Sequence, residues 1–163
     1  MTITASESVC AMRYAFGCAL IVLFAALASA CDSEGVVFAR SELVGEWRVN
    51  QESLERLRLE EELKGVLASV IPSVILRQDG TCSAKEFPIA DMGQHYRVIQ
   101  ADGKWNVVVR GEGQRISLQF RGYGGSLLGV GRGSRGNFIY FYFGDPDLGR
   151  RLVFQRVPQR VDR

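Results

Sequence analysis

The chain has 163 residues, enough for one compact domain, with 47% hydrophobic and 10% aromatic side chains to fill its core. Twenty Lys and Arg against eighteen Asp and Glu leave a net charge of +2, and the two signs are interleaved over most of the chain. This excludes a disordered tail and provides no electrostatic footprint for nucleic acid.

Residues 1–30 read as a signal peptide, because Arg13 precedes an uncharged apolar run from Ala15 to Ala28 that ends in small residues. The run is about 14 residues long, short of the ~20 a bilayer-spanning helix needs. A start at Met12 instead of Met1 would give the compact basic leader usual in such signals, and mapping the precursor N-terminus distinguishes the two. The end of the run, Leu27-Ala28-Ser29-Ala30-Cys31, resembles the lipobox of bacterial lipoproteins, with Ala28 where Leu is usual. That resemblance implies that Cys31 receives a diacylglycerol thioether (palmitate among its acyl chains) and becomes the mature N-terminus. It thereby implies a lipid anchor on the extracytoplasmic side of a bacterial membrane. The alternative is ordinary cleavage after Ala30 with an unmodified Cys31. Cys10 and Cys18 leave with the leader, so Cys82 has no disulfide partner in the mature domain. With no His or charge beside it in sequence, Cys82 reads as a small semi-buried side chain and not as a nucleophile.

Residues 31–42 are expected to be the lipidated cysteine and a polar tether, and residues 43–163 the folded domain. Its first strand is ELVGEWRV, with Leu43, Gly45 and Trp47 on one face. From Asn50 the period changes, with Leu59, Leu63, Val66, Leu67 and Val70 at helical spacing. Asn50 as N-cap, Glu52 and Glu55 in the first turns and Pro72 as the stop predict one helix from Asn50 to Ile71. Its mixed-charge face, with Glu60 and Lys64 four apart, reads as solvated.

Short strands and turns follow. SVILRQDGTCSAKEF is a hairpin turning at Asp79-Gly80, and KWNVVVRGEGQRISLQF turns at Gly111 to Gly113. GGSLLGVGRGSRGNFIYFYF turns between Arg132 and Gly136, and the closing hairpin turns in GDPDLG at Gly144 to Gly149. Between the first two hairpins, FPIADMGQHYRVIQADG lacks a steady period and predicts a long connection from Phe87 to Gly103, with room for one helical turn or an extra strand at Tyr96 to Ile99. Counted from the strand of Trp47, this predicts a mainly β domain. It would be an antiparallel barrel of about eight strands with one helix after the first.

The order LVGEW, RQDGTCSA, GKW, RISLQF and GDPDLGRRLVFQR resembles a group of bacterial secreted proteins and lipoproteins with lipocalin-like barrels. The resemblance runs over essentially the whole mature domain, and its most recognisable pieces are LxGxW, the DGT turn and GDPDxGxxxxFxR. The resemblance implies a fold and a compartment and carries no catalytic residues over.

The residues themselves argue against a metal site and a cofactor and make an enzyme the minority reading, one in which Glu86, Asp91, Asp102 and Glu112 could approach as paired carboxylates in three dimensions. GRGSRG (Gly131 to Gly136) formally fits a dinucleotide fingerprint but opens a strand, where the fingerprint must open a helix. His95 is the sole histidine, too few for a metal cluster and the only candidate base for acyl transfer in a chain with no G-x-S-x-G, and Asp145 and Asp147 lack the rest of a calcium loop. The informative segment is FIYFYF, apolar on both faces and hence expected to be covered on both, one face by the barrel interior and the other by the Asn50–Ile71 helix. A pocket for a small apolar ligand would then draw on Trp47, Trp105, Phe120, Tyr140 and Tyr142. The functional expectation is a lipid-anchored binding module for such a ligand or an envelope partner. The alternative is a structural or interaction lipoprotein with a filled barrel and no ligand.

Overall fold

The computed structural model describes residues 33–34, 37–90, 95–110 and 113–158; Cys31 and the leader lie outside them. Nine strands occur among these residues: β1 (Ser33–Glu34), β2 (Gly45–Val49), β3 (Ser73–Leu76), β4 (Thr81–Ala90), β5 (Tyr96–Arg110), β6 (Gly113–Phe120), β7 (Gly124–Gly133), β8 (Gly136–Tyr142) and β9 (Arg151–Arg156). From β2 to β9 each strand pairs antiparallel with its sequence neighbour, and β9 returns to β2 through Trp47 opposite Arg156 and Val49 opposite Phe154. The result is a closed eight-stranded antiparallel barrel with no free sheet edge between its first and last strands. β1 adds to β7 at Gly131 and Arg132, beyond the last β6 pairing at Gly129.

The predicted turns are present. Arg77 and Thr81 close the Asp79-Gly80 turn, Gly80 has φ +85, and Thr81 donates from both its N–H and its hydroxyl to Asp79 Oδ1. Those two hydrogen bonds hold the Asp79 carboxyl below the ordinary carboxylate range. In the last hairpin Asp145 accepts from the Asp147 N–H, and Gly149 ends the turn at φ +65. GRGSRG is the β7–β8 hairpin, with Gly131 in one strand and Gly136 in the other.

Three expectations are corrected. The helix between β2 and β3 is two helices, α2 (Gln51–Arg58) and α3 (Glu61–Leu67), following a one-turn α1 (Arg40–Leu43). The buried leucines are Leu54, Leu57, Leu63 and Leu67, while Leu59 is 86% exposed. At about 100° per residue, a continuous helix would set Leu54 and Leu63 on opposite sides, about 180° apart. The break at Leu59-Glu60 brings both pairs onto the core. Glu60 turns extended, Arg150 Nε meets its carboxylate at 2.6 Å, and Arg58 caps the end of α3 by donating to the carbonyls of Leu67 and Val70. Asn50 caps α2 as expected, accepting from the Ser53 N–H at 3.1 Å.

The second correction concerns Phe87 to Gly103. Phe87–Ala90 continue β4 and Tyr96–Gly103 belong to β5, so the long connection contracts to the few residues between them. The pairing register of β4 with β5 shifts between Ala84 and Phe87, and Glu86 sits there at φ +52. This bulge changes which parity faces inward: Cys82 and Ala84 point into the barrel before it, Phe87 and Ile89 after it. A strict alternation read through Lys85-Glu86 therefore fails.

The third is the start of the domain. Phe38 is buried, its backbone N–H donates to Gln114 Oε1 at 2.7 Å, and its carbonyl accepts from Gln114 Nε2 at 2.9 Å. Together with α1 and β1, this brings most of the polar stretch before Leu43 into the folded unit.

Phe87→Ala should cost about 3–5 kcal/mol in chemical unfolding, as an aromatic side chain is removed from a closed core. Leu59→Ala should stay within about 0.5 kcal/mol of the parent. An equal loss for Leu59 would contradict the helix break.

Candidate functional site

The first candidate is the barrel interior, where the pocket residues were expected to converge. Trp47, Trp105 and Phe120 do lie inside, in a continuous core with Val74, Leu76, Ile116, Leu118, Leu128, Ile139 and Leu152. Both indole N–H groups are used structurally, since Trp47 Nε1 donates to the Leu43 carbonyl at 2.8 Å and Trp105 Nε1 to that of Arg77 at 2.7 Å. Towards the helical end, the Phe87 ring lies 5.9 Å from Phe120, 5.7 Å from Phe141 and 5.8 Å from Phe154, and Phe143 packs edge-on against Tyr96. Leu54, Leu57, Leu63 and Leu67 close that end, and Phe38 and Leu43 close the other. Among the described residues, these buried side chains form one contiguous cluster through the interior.

Tyr140 and Tyr142 do not join the other three. Ile139, Phe141 and Phe143 are the core face of β8, so Phe138, Tyr140 and Tyr142 project to the outside. Nor does the helix cover them, because α2 docks on β9 (the Asn50 N–H donates to the Val153 carbonyl at 2.7 Å) and α3 lies against β5. The outer face of β8 is covered instead by flatness and charge. Gly129 pairs with Tyr140 and Gly131 with Phe138, and the two rings lie down on the bare glycine backbone. A Cβ at Gly129 would overlap the Tyr140 ring, and one at Gly131 the Phe138 ring. Arg115 Nη1 donates to the Tyr140 hydroxyl at 3.2 Å, and the Arg151 guanidinium stands 5.4 Å over the ring, so Tyr140 is fully buried on the outside of the barrel. The sequence does carry this signal: alternate glycines in GVGRG face alternate aromatics in FIYFY across one turn.

The second candidate is a groove of about 960 Å³ across the outer faces of β2 to β5. Glu46, Arg48, Ile75, Ser83, Glu86 and Asp102 line it. Arg48 pairs with Glu46 at 2.7 Å, Ser83 donates to Asp102 at 2.6 Å while accepting from Arg77, and Glu86 accepts from the Ile71 N–H at 2.7 Å. The groove presents paired charges of both signs around the exposed Ile71 and Ile75, a lining that suits a polypeptide better than a small apolar molecule.

Cys82 is fully buried inside the barrel, and burial pushes its thiol up to about 11 from an ordinary 9.0. His95 is exposed at the start of β5, and among the described residues no three His, Cys, Asp or Glu side chains stand together as metal ligands would. Comparison of the chain with protein-family models, with curated proteins and with solved structures returns no match.

Two outcomes follow. Gly129→Ala should lower stability by about 1–3 kcal/mol through overlap with Tyr140, and Gly129→Ala combined with Tyr140→Ser should recover part of the loss in a double-mutant cycle. The Cys82 thiol should resist alkylation in the native protein at pH 8 and react at once in denaturant. Because its folded pKa is raised, the stability it contributes is complete below about pH 9 and is lost as pH rises towards about 11.

Proposed function

We propose that this chain is a lipid-anchored protein of the bacterial envelope whose barrel acts through its outer surface on a protein partner. In this reading it is a binding or structural module, not an enzyme, and it holds no small apolar ligand inside. The observation that carries it is the interior, packed by core side chains and closed at both ends by Phe38 and Leu43 and by the four helix leucines. A ligand carrier of this size needs a preformed apolar cavity with a few convergent polar groups. Here Trp47, Trp105 and Phe120 pack into the core and Tyr140 and Tyr142 stand outside it. The mixed-charge groove over β2 to β5 supplies the concave outer surface for a partner. The lipid at Cys31 and the envelope location rest on the lipobox-like LASAC and the leader before it.

Titration with a fluorescent fatty acid should show no saturable binding to the interior. Stoichiometric binding, with quenching of Trp47 and Trp105 fluorescence, would overturn the filled-barrel reading. Expressed in a bacterium, the full chain should gain the mass of a diacylglyceryl group and Cys31→Ser should not. A photoreactive amino acid in place of Ile75 should crosslink a discrete envelope protein, and one in place of Leu148, on the last turn, should not.

A further inference from the structure

The barrel is polarised along its axis. At one end lie the helices and the GDPDLG turn, where exposed Glu52, Glu55, Glu61 and Glu62 outnumber exposed Arg56 and Lys64. At the other end the chain enters the fold, and exposed Arg40, Arg110, Arg132 and Arg135 outnumber Glu34 of β1 and half-buried Glu42, which meets Arg132 at 3.4 Å. Arg77 and Asp79, on the turn across this end, offset each other. Two large apolar side chains stand exposed on the same end, Val37 at 75% and Val109 at 73%. They are neighbours through Gln114, which pairs with Val109 across the β5–β6 hairpin and holds the backbone of Phe38 with its side chain. Val109 has the parity of the core residues Trp105 and Val107, but the hairpin runs past the barrel end, so the side chain projects from the rim.

β1 belongs to this same end, since Ser33 pairs with Arg132 and Glu34 with Gly131. Cys31 precedes Ser33 by two residues, and an extended chain covers at most about 3.6 Å per residue. A lipid on Cys31 would therefore hold the bilayer within about 7 Å of the paired β1 strand, too close for the barrel to tumble freely above it.

We propose that the Val37/Val109 rim, flanked by Arg40, Arg110, Arg132 and Arg135, is a membrane-apposed surface that rests on the anionic headgroups of the bilayer holding the lipid anchor. It would fix the barrel with the α2–α3 end pointing away from the membrane. The inference rests on the lipidation of Cys31. The two valines would enter the interfacial layer while the guanidinium groups meet lipid phosphates, the arrangement by which one acyl anchor and a basic patch reinforce each other. The groove over β2 to β5 would then stand upright on the barrel side, open to a partner.

The test uses the lipidated full-length chain reconstituted in vesicles, fluorophore-labelled at Val109→Cys or, as control, at Leu59→Cys, with the buried Cys82 silent. In vesicles containing phosphatidylglycerol and a headgroup quencher, the label at 109 should be quenched at least threefold more than the label at 59. The paired change Arg110→Glu and Arg135→Glu should erase that difference while leaving the unfolding midpoint unchanged. Each arginine should also contribute about fivefold to vesicle partitioning at low salt, and phosphatidylcholine vesicles should remove that gain. Equal quenching at the two positions in a protein whose mass shows the lipid would overturn this orientation. A mass without lipid would instead overturn the reading on which it depends.

Discussion

The barrel closes around Phe87, and Phe87 faces inward because β4 carries one extra residue. In the bulge at Lys85-Glu86, Glu86 takes a positive φ of 52°, a conformation that costs a non-glycine residue of order 1–3 kcal/mol. Phe87 and Ile89 then replace Cys82 and Ala84 as the inward-facing side chains, and the Phe87 ring meets rings from β6, β8 and β9. Burying an aromatic side chain of this kind is worth about 1.5–3 kcal/mol, before the edge and stacking contacts that accompany it. Without the bulge, β4 would present Lys85 and Ile89 to the same face, and the lower half of the barrel would lose its centre. Glu86 also accepts a hydrogen bond from the N–H of Ile71, tying the bulge to the segment that leads out of α3.

The contiguous cluster of buried side chains inside the barrel directs the question of function to the surface. The two ends are closed by different means, one by a pair of short helices and the other by the α1 turn with Phe38, and both closures use segments lying outside the barrel strands. Arg150 links the helical closure back to the barrel by meeting Glu60 and Glu62 at once, and Gln114 links the N-terminal closure by holding both backbone groups of Phe38. Arg150 and Glu60 are half-buried and Glu62 is exposed, so the pairs are partly screened; the four buried leucines carry most of the energy at the helical end and Arg150 supplies the registration. Such a scaffold is suited to presenting fixed outer surfaces.

The aromatic strand shows how much a local pattern can and cannot say. FIYFYF, with two apolar faces, required two covers, and two exist. Which face goes inside depends on register: pairing Ile139 with Phe154 and Phe141 with Leu152 places those four in the core, and Phe138, Tyr140 and Tyr142 are left for the outside. Their cover comes from across the sheet, where bare glycines allow rings to lie flat, and from arginines on β6 and β9. The residues in DPDLGRR that stand out as charged in sequence form a turn, the ion-pair link of Arg150 and the Arg151 cover over Tyr140.

Local chemistry determined the hairpins, the Asn50 cap, the strand count and the antiparallel barrel, because turn residues and period-two patterns act over a few residues wherever they sit. The likeness of LASAC to a lipobox is equally a property of the chain alone. Tertiary structure decided the rest. The helix breaks at Leu59-Glu60 because the core must receive Leu54 and Leu63 from the same side, a demand set by the barrel end and invisible to periodicity within the segment. The β4 bulge exists because closure needs Phe87 inside, and the pocket residues separate because register, set by partners on other strands, assigns Tyr140 and Tyr142 to the outer face.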